Sequence, residues 1–81
     1  MQVGQIVFSK CGRDKGLAFV VLSVEGEYVF LADGHLRPLI KPKKKKAKHV
    51  QPTHSFVEMQ LDGGLTDAVI RKWLKGLDKR R

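Results

Sequence analysis

Apolar residues in this chain come in short runs broken by glycine and charge, the spacing of strands in a small sheet. Residues 3–9, centred on Ile6, Val7 and Phe8, predict a first strand. A second follows over residues 17–24, where the unbroken apolar run from Leu17 to Leu22 would be buried on both faces and so take a central position. Its alternation puts Ala18, Val20, Leu22 and Val24 on one side and Leu17, Phe19 and Val21 on the other. Glu25-Gly26-Glu27 is a tight polar turn into a third strand over residues 28–32, and Asp33-Gly34 is a two-residue hairpin signal leading to a fourth over residues 36–40. Pro38 and Pro42 have no N–H for a central ladder, so that strand is expected to lie at an edge or to stop early.

Beyond residue 52 the pattern changes. Residues 53–64 read as a connector in which residues 55–60 are extended and Phe56 packs back on the sheet. Gly63-Gly64 then breaks the chain, and Thr66 is placed to cap a helix running from Asp67 to about Leu77. Ile70, Trp73, Leu74 and Leu77 form an apolar stripe on that helix, opposite Arg71, Lys72, Lys75 and Lys79. A helix this short is marginal alone in water. Its stripe therefore either covers the sheet or docks on a partner, with Trp73 and Leu77 as the docking candidates.

Charge sharpens the picture. The chain has 81 residues, enough for one domain near the lower limit of a self-sufficient core, and a net charge of +8. No Asp or Glu occurs from residue 34 to residue 57, a window that holds Arg37, Lys41, Lys43, Lys44, Lys45, Lys46 and Lys48 together with His35, His49 and His54. The rest of the chain is close to neutral, so the reading is an ordinary small domain, residues 1–52, bearing a cationic arm over residues 41–48. Such an arm repels itself and predicts a mobile loop that binds polyanion phosphates without reading sequence. A nuclear import signal has the same composition.

A second cationic element lies in Gly12-Arg13-Asp14-Lys15-Gly16 between the first two strands. Gly16 supplies the positive φ that lets the chain reverse and enter the next strand, which leaves Arg13 and Lys15 at the tip. This segment, with Leu31-Ala32-Asp33-Gly34-His35-Leu36-Arg37-Pro38 and the lysine run, resembles the KOW motif of RNA-binding SH3-like barrels. The likeness spans residues 2–51 and is greatest to KOW proteins of the large ribosomal subunit and to small bacterial relatives. The resemblance implies a mainly β fold, a small SH3-like β-barrel closed by a short strand near residues 49–51, with the C-terminal helix outside the motif. It also implies RNA contacts on the Gly16 loop. This chain continues Gly16-Leu17-Ala18-Phe19, more apolar than most KOW segments, which leaves Lys10, Arg13 and Lys15 as the loop's contacts.

Other chemistries find little support. Cys11 is the only cysteine, so an intramolecular disulfide is excluded and a reducing cytoplasm fits. It reads as a small loop residue, although Lys10, Arg13 and Lys15 could activate it. Its spacing with His35, His49 and His54 matches no zinc pattern, and no nucleophile, paired carboxylates or phosphate loop suggests catalysis or a cofactor. Tyr28 and Phe30 could stack bases but read as core, as does Trp73. The longest apolar run is too short to span a bilayer. The expectation is a non-enzymatic, monomeric, cytoplasmic RNA-binding protein associated with ribosomal RNA, ribosomes or their assembly. Its contacts would be Lys10, Arg13, Lys15, Gly16, Arg37, Lys41, Lys43, Lys44, Lys45, Lys46, Lys48 and His49. The alternatives are a protein-interaction module using the helix or a barrel groove, and a DNA- or transcription-associated KOW factor.

Overall fold

The computed structural model describes residues 1–60 and 63–78. Five antiparallel strands form one sheet: β1 (Gln5–Ser9), β2 (Ala18–Glu25), β3 (Tyr28–Ala32), β4 (Lys43–Lys46) and β5 (Val50–Phe56), in the order β4-β3-β2-β1-β5. A 3-10 turn, Ala47–His49, joins β4 to β5, and one helix, α1 (Asp67–Leu74), follows. Because the two edge strands are separated by only that turn, the sheet must curl to bring its edges to a common corner.

The first three strands lie where hydrophobic alternation puts them. Cross-strand pairs sort the apolar residues onto two faces. Ile6↔Val20, Phe8↔Ala18 and Val20↔Ala32 belong to one cluster, whereas Val7↔Phe19 and Val21↔Leu31 belong to a second that also holds Val29 and Val50. β2 is thus buried on both faces. A register shift between Val21 and Ser23 inserts one residue into β2, so Val24 pairs with Val29 and crosses to the face opposite the one simple alternation assigns it. Val29 and Leu31 are the buried residues of β3, which leaves Tyr28 and Phe30 half-buried on the other face instead of in the core.

The fourth strand is the main departure from expectation. Residues 36–40 form a loop, not a strand. Asp33 Oδ1 accepts the backbone N–H groups of both His35 and Arg37 at 2.8 Å, which closes a local turn in place of a two-residue hairpin. Leu39 N–H is drawn to Asp67 Oδ1 at the start of α1. Pro38 and Pro42 then lack the donors to resume a ladder, and pairing restarts only at Lys43, with Leu31↔Lys43, Phe30↔Lys44, Val29↔Lys45 and Tyr28↔Lys46. The centre of the lysine run therefore forms an edge strand where a loop was expected.

β5 is longer than expected and reaches into the segment read as a connector. It tolerates Pro52 because it lies at the other edge. Its register shifts between Gln5 and Val7, and the gap is filled by polar side chains: Gln5 Nε2 donates to the Thr53 carbonyl at 2.8 Å and Thr53 Oγ1 to the Ile6 carbonyl at 2.6 Å. Phe56 is 53% exposed and does not pack back; Val57 and Met59 take that place against the first cluster.

Thr66 caps α1 as predicted, its Oγ1 accepting the Val69 N–H at 3.2 Å. The helix covers the sheet: Ile70 and Leu74 are buried in the cluster of Ile6, Ala18, Val20 and Ala32, and Trp73 packs partly against it. It ends at Leu74, one turn short of expectation, leaving Leu77 beyond it and exposed. Arg71, Lys72 and Lys75 face outward, while Lys79 lies outside the described residues.

Gly34 shows how closely the β3–β4 loop meets this helix. It has φ +78°, and a Cβ there would collide with the Asp67 carbonyl and crowd Arg71. Gly64, with φ +82°, has open space around the same position. Gly34→Ala should cost about 1–2 kcal/mol for the backbone conformation and about 1–3 more for the overlap. Thermal melts should show a drop of roughly 10–30 °C, against roughly 5–15 °C for Gly64→Ala, which carries the backbone cost alone. Equal shifts would mean that helix and loop are not in this contact.

Candidate nucleic-acid interface

Strand geometry splits the lysines of β4 into two sets. Lys43 and Lys45 share the face of Val29 and Leu31, so their aliphatic stems extend over the second core cluster while their ammonium groups reach its rim. Lys44 and Lys46 point the other way. Lys44 Nζ sits 4.5 Å from the Tyr28 ring centroid, and Lys46 Nζ is 3.8 Å from Glu27 Oε1, an exposed pair of little energetic weight.

The inward pair converges on Asp14, the one acid of the loop between β1 and β2. Lys45 Nζ is 2.8 Å from Ser9 Oγ, 2.9 Å from the Cys11 carbonyl and 2.9 Å from Asp14 Oδ1. An ammonium has three protons, so this one is saturated. Ser9 Oγ also lies 2.7 Å from Asp14 Oδ1, and Lys43 Nζ is 3.3 Å from Oδ2, a charge contact without hydrogen-bond geometry. The Lys45 and Asp14 side chains are only 9% and 13% exposed. Burial by itself would raise the Asp14 pKa, but hydrogen bonds from Lys45 and Ser9 and the charges of Lys45 and Lys43 outweigh it, holding the carboxyl at about 2 against an ordinary 3.8. The result is a clamp that ties the β1–β2 loop to the sheet's far edge strand.

The clamped loop is closed by Gly16, whose φ is +87° and whose N–H donates to the Ser9 carbonyl at 2.9 Å. Arg13 and Lys15 stand exposed on it, and Lys10, whose N–H donates to the His49 carbonyl, lies beside it. Clefts flank the loop on both sides. One, of about 390 Å³, has an apolar floor of Leu17 and Phe19 and the cations Arg13, Arg37 and Lys43 at its rim. The other, of about 580 Å³, is lined by Phe8, Gln51, Lys10 and Lys15. The structure thus gathers Lys10, Arg13, Lys15, Gly16, Arg37, Lys43 and His49 around one loop. It leaves Lys41 and Lys48 exposed elsewhere, turns Lys44 and Lys46 to the opposite face, and engages Lys45 internally.

Among the described residues, Lys10, Arg13, Lys15, Arg37, Lys41 and Lys48 form no ion pair. With Lys44, Arg71, Lys72 and Lys75, which likewise form no ion pair, these are the charges open to a polyanion. Asp14, Ser9 and the exposed Leu36 are participants that charge counting overlooked; the signal for the first was a single acid inside an otherwise cationic loop. Trp73 and Leu77, the docking candidates, lie near the end of α1, the former half-buried and the latter exposed. Among the described residues no group of His, Cys, Asp and Glu is arranged to hold a metal ion, and no helix is long and apolar enough to cross a membrane. Comparison with protein-family models and with curated proteins finds no match to this chain.

The clamp predicts a pH signature. The folded-state pKa of Asp14 lies below its unfolded value, so its contribution is complete above about pH 4 and is lost as pH falls from there toward 2. It is worth roughly 2 kcal/mol. Urea denaturation across this range should show Asp14→Asn with a shallower acid dependence than the parent. Lys45→Met should destabilise by about 3 kcal/mol by stripping a buried carboxylate of its main partner, whereas Lys44→Met should fall within about 0.5 kcal/mol. Similar losses for the two lysines would remove the distinction between the faces.

Proposed function

We propose that this chain is a non-enzymatic RNA-binding module, an SH3-like β-barrel of the KOW type that acts as a monomer on ribosomal RNA or on ribosomes during their assembly or function. The observation that carries the reading is the β1–β2 loop, locked by Asp14 between two cation-rimmed clefts with Arg13 and Lys15 at its tip. A rigid loop presents its charges at fixed spacing, and fixed spacing lets phosphates select an RNA shape instead of merely condensing on charge. Closure of the barrel is supported by the single 3-10 turn joining the two edge strands. The KOW likeness of residues 2–51 supports RNA and the ribosome as the partners.

The mechanism differs from a folding arm. The loop and the clefts beside it are preformed, so binding loses little chain entropy there. Lys10, Arg13, Lys15, Arg37 and Lys48 neutralise phosphates, and Lys44 and Lys46 offer a weaker contact on the far face. Lys43 and Lys45 act through the clamp, positioning the loop.

Binding to a structured ribosomal RNA fragment should fall with salt at a log–log slope of roughly −3.5 to −4.5, the value for about five neutralised phosphates. Arg13→Gln with Lys15→Gln should flatten that slope by about 1.5 to 2 units while the melting temperature holds. Lys44→Gln with Lys46→Gln should flatten it less. A slope indifferent to Arg13 and Lys15 would sink the loop's role, and tighter binding to duplex DNA than to RNA at equal salt would favour the transcription-associated alternative.

A further inference from the structure

Leu36 is 68% exposed on the loop between β3 and β4. A lone exposed leucine is ordinary. Its surroundings are not, because Leu36 lines two clefts at once: the one of about 390 Å³ already described, and one of about 300 Å³ on its other side, floored by Ala18 and Leu74. Leu17 and Asp33 border both as well, so the clefts adjoin with Leu36 in the wall between them. Cations rim each side: Arg13, Arg37 and Lys43 on the first, Arg71 and Lys75 on the second, where His35 also lines the wall.

The acids nearby are turned to the protein. Asp14 is held by Lys45 and Ser9, Asp33 Oδ1 accepts the N–H groups on either side of Leu36, and Asp78 Oδ1 accepts the Ala18 N–H at 2.7 Å. The loop that carries the leucine is braced. Arg71 donates to the Gly34 carbonyl, and Gly34 packs against the Asp67 carbonyl with no room for a Cβ. An apolar projection on a braced loop thus parts two apolar-floored, cation-rimmed hollows.

We propose that Leu36 is a wedge that parts two successive bases of single-stranded RNA, one base entering each cleft while Arg13 and Arg37 on one side and Arg71 and Lys75 on the other hold the backbone. This rests on the RNA-binding reading and narrows its ligand to an unpaired segment. Single-strand sites combine a cationic track with surfaces on which bases stack, and leucine is among the apolar side chains that part base steps. Both cleft volumes fall in the usual range for small-molecule sites of roughly 300–1,000 Å³. In a duplex the wedge would first have to unstack paired bases, whereas an unpaired segment offers bases already free to splay apart. An acidic peptide would satisfy the cations and leave the wedge without a role. The inference also draws α1 into the interface, through Arg71 and through Lys75 just past its end, although the helix lies outside the KOW-like segment.

The test titrates the full chain with a ten-nucleotide single-stranded RNA and with a duplex RNA of the same length, following Leu36 methyl resonances and affinity at fixed salt. The single strand should move the Leu36 methyls upfield, the ring-current effect of stacked bases. Leu36→Ser, a substitution at an exposed site, should weaken single-strand binding about tenfold and leave duplex binding and the salt slope unchanged. Lys75→Gln should flatten the single-strand slope by about 0.7 unit. Unshifted Leu36 methyls together with an unaltered affinity of Leu36→Ser would overturn the wedge, and so would a poly-glutamate peptide competing equally for parent and variant. Salt-dependent duplex binding in that case would leave the RNA-binding reading standing, whereas no salt-dependent binding of either RNA would overturn both.

Discussion

A single carboxylate organises the cation-rich end of this molecule. Asp14 lies in the first loop, yet its partners Lys43 and Lys45 come from the strand at the far edge of the sheet, 31 residues from Asp14 in the case of Lys45. Without that acid, two ammonium groups would sit on the rim of an apolar cluster with no counter-charge, and adjacent cationic residues would have little reason to form a strand. With it, β4 can pair with β3, the aliphatic stems can cover Val29 and Leu31, and the loop carrying Arg13 and Lys15 acquires one position. Charge pairing and hydrogen bonding in a partly desolvated place favour all three.

The same bond explains a division of labour among like residues. Four consecutive lysines look equivalent by composition, but the two-residue period of a strand makes them alternate between a structural and a solvent-facing role. Lysines on an edge strand also discourage pairing with another chain, so β4 protects the sheet from edge-to-edge association while it completes the fold. The charges left for a ligand come mainly from loops around one end of the sheet, which a rigid scaffold can hold at fixed spacing.

A second brace acts from the other side. Asp67, the first residue of α1, accepts the Leu39 N–H and offers its carbonyl surface to Gly34, while Arg71 reaches the Gly34 carbonyl. The helix thereby covers the apolar face around Ile6, Val20 and Ala32 and also shapes the β3–β4 loop on which Leu36 and Arg37 stand. Core packing and ligand-facing geometry are coupled through a few polar contacts, which is how an 81-residue chain can hold irregular loops in defined positions.

Hydrophobic alternation determined the first three strands and the two-faced burial of β2, and local glycine and capping chemistry determined the turn at Gly26, the left-handed conformation at Gly16 and the capped start of the helix at Thr66. Each depends on neighbours within a few residues, and local preference is what a sequence states directly. The tertiary structure alone decided that residues 36–40 loop out, that residues 43–46 pair, and that Lys45 faces inward while Lys44 does not. It also decided that Val29 and Leu31, and not Phe30, enter the core. The physical reason is common to these cases. A charged side chain read by itself has only water as a partner, so a lysine run predicts repulsion and mobility. An aspartate far away in sequence replaces that water, and where it stands depends on the pairing of every strand between.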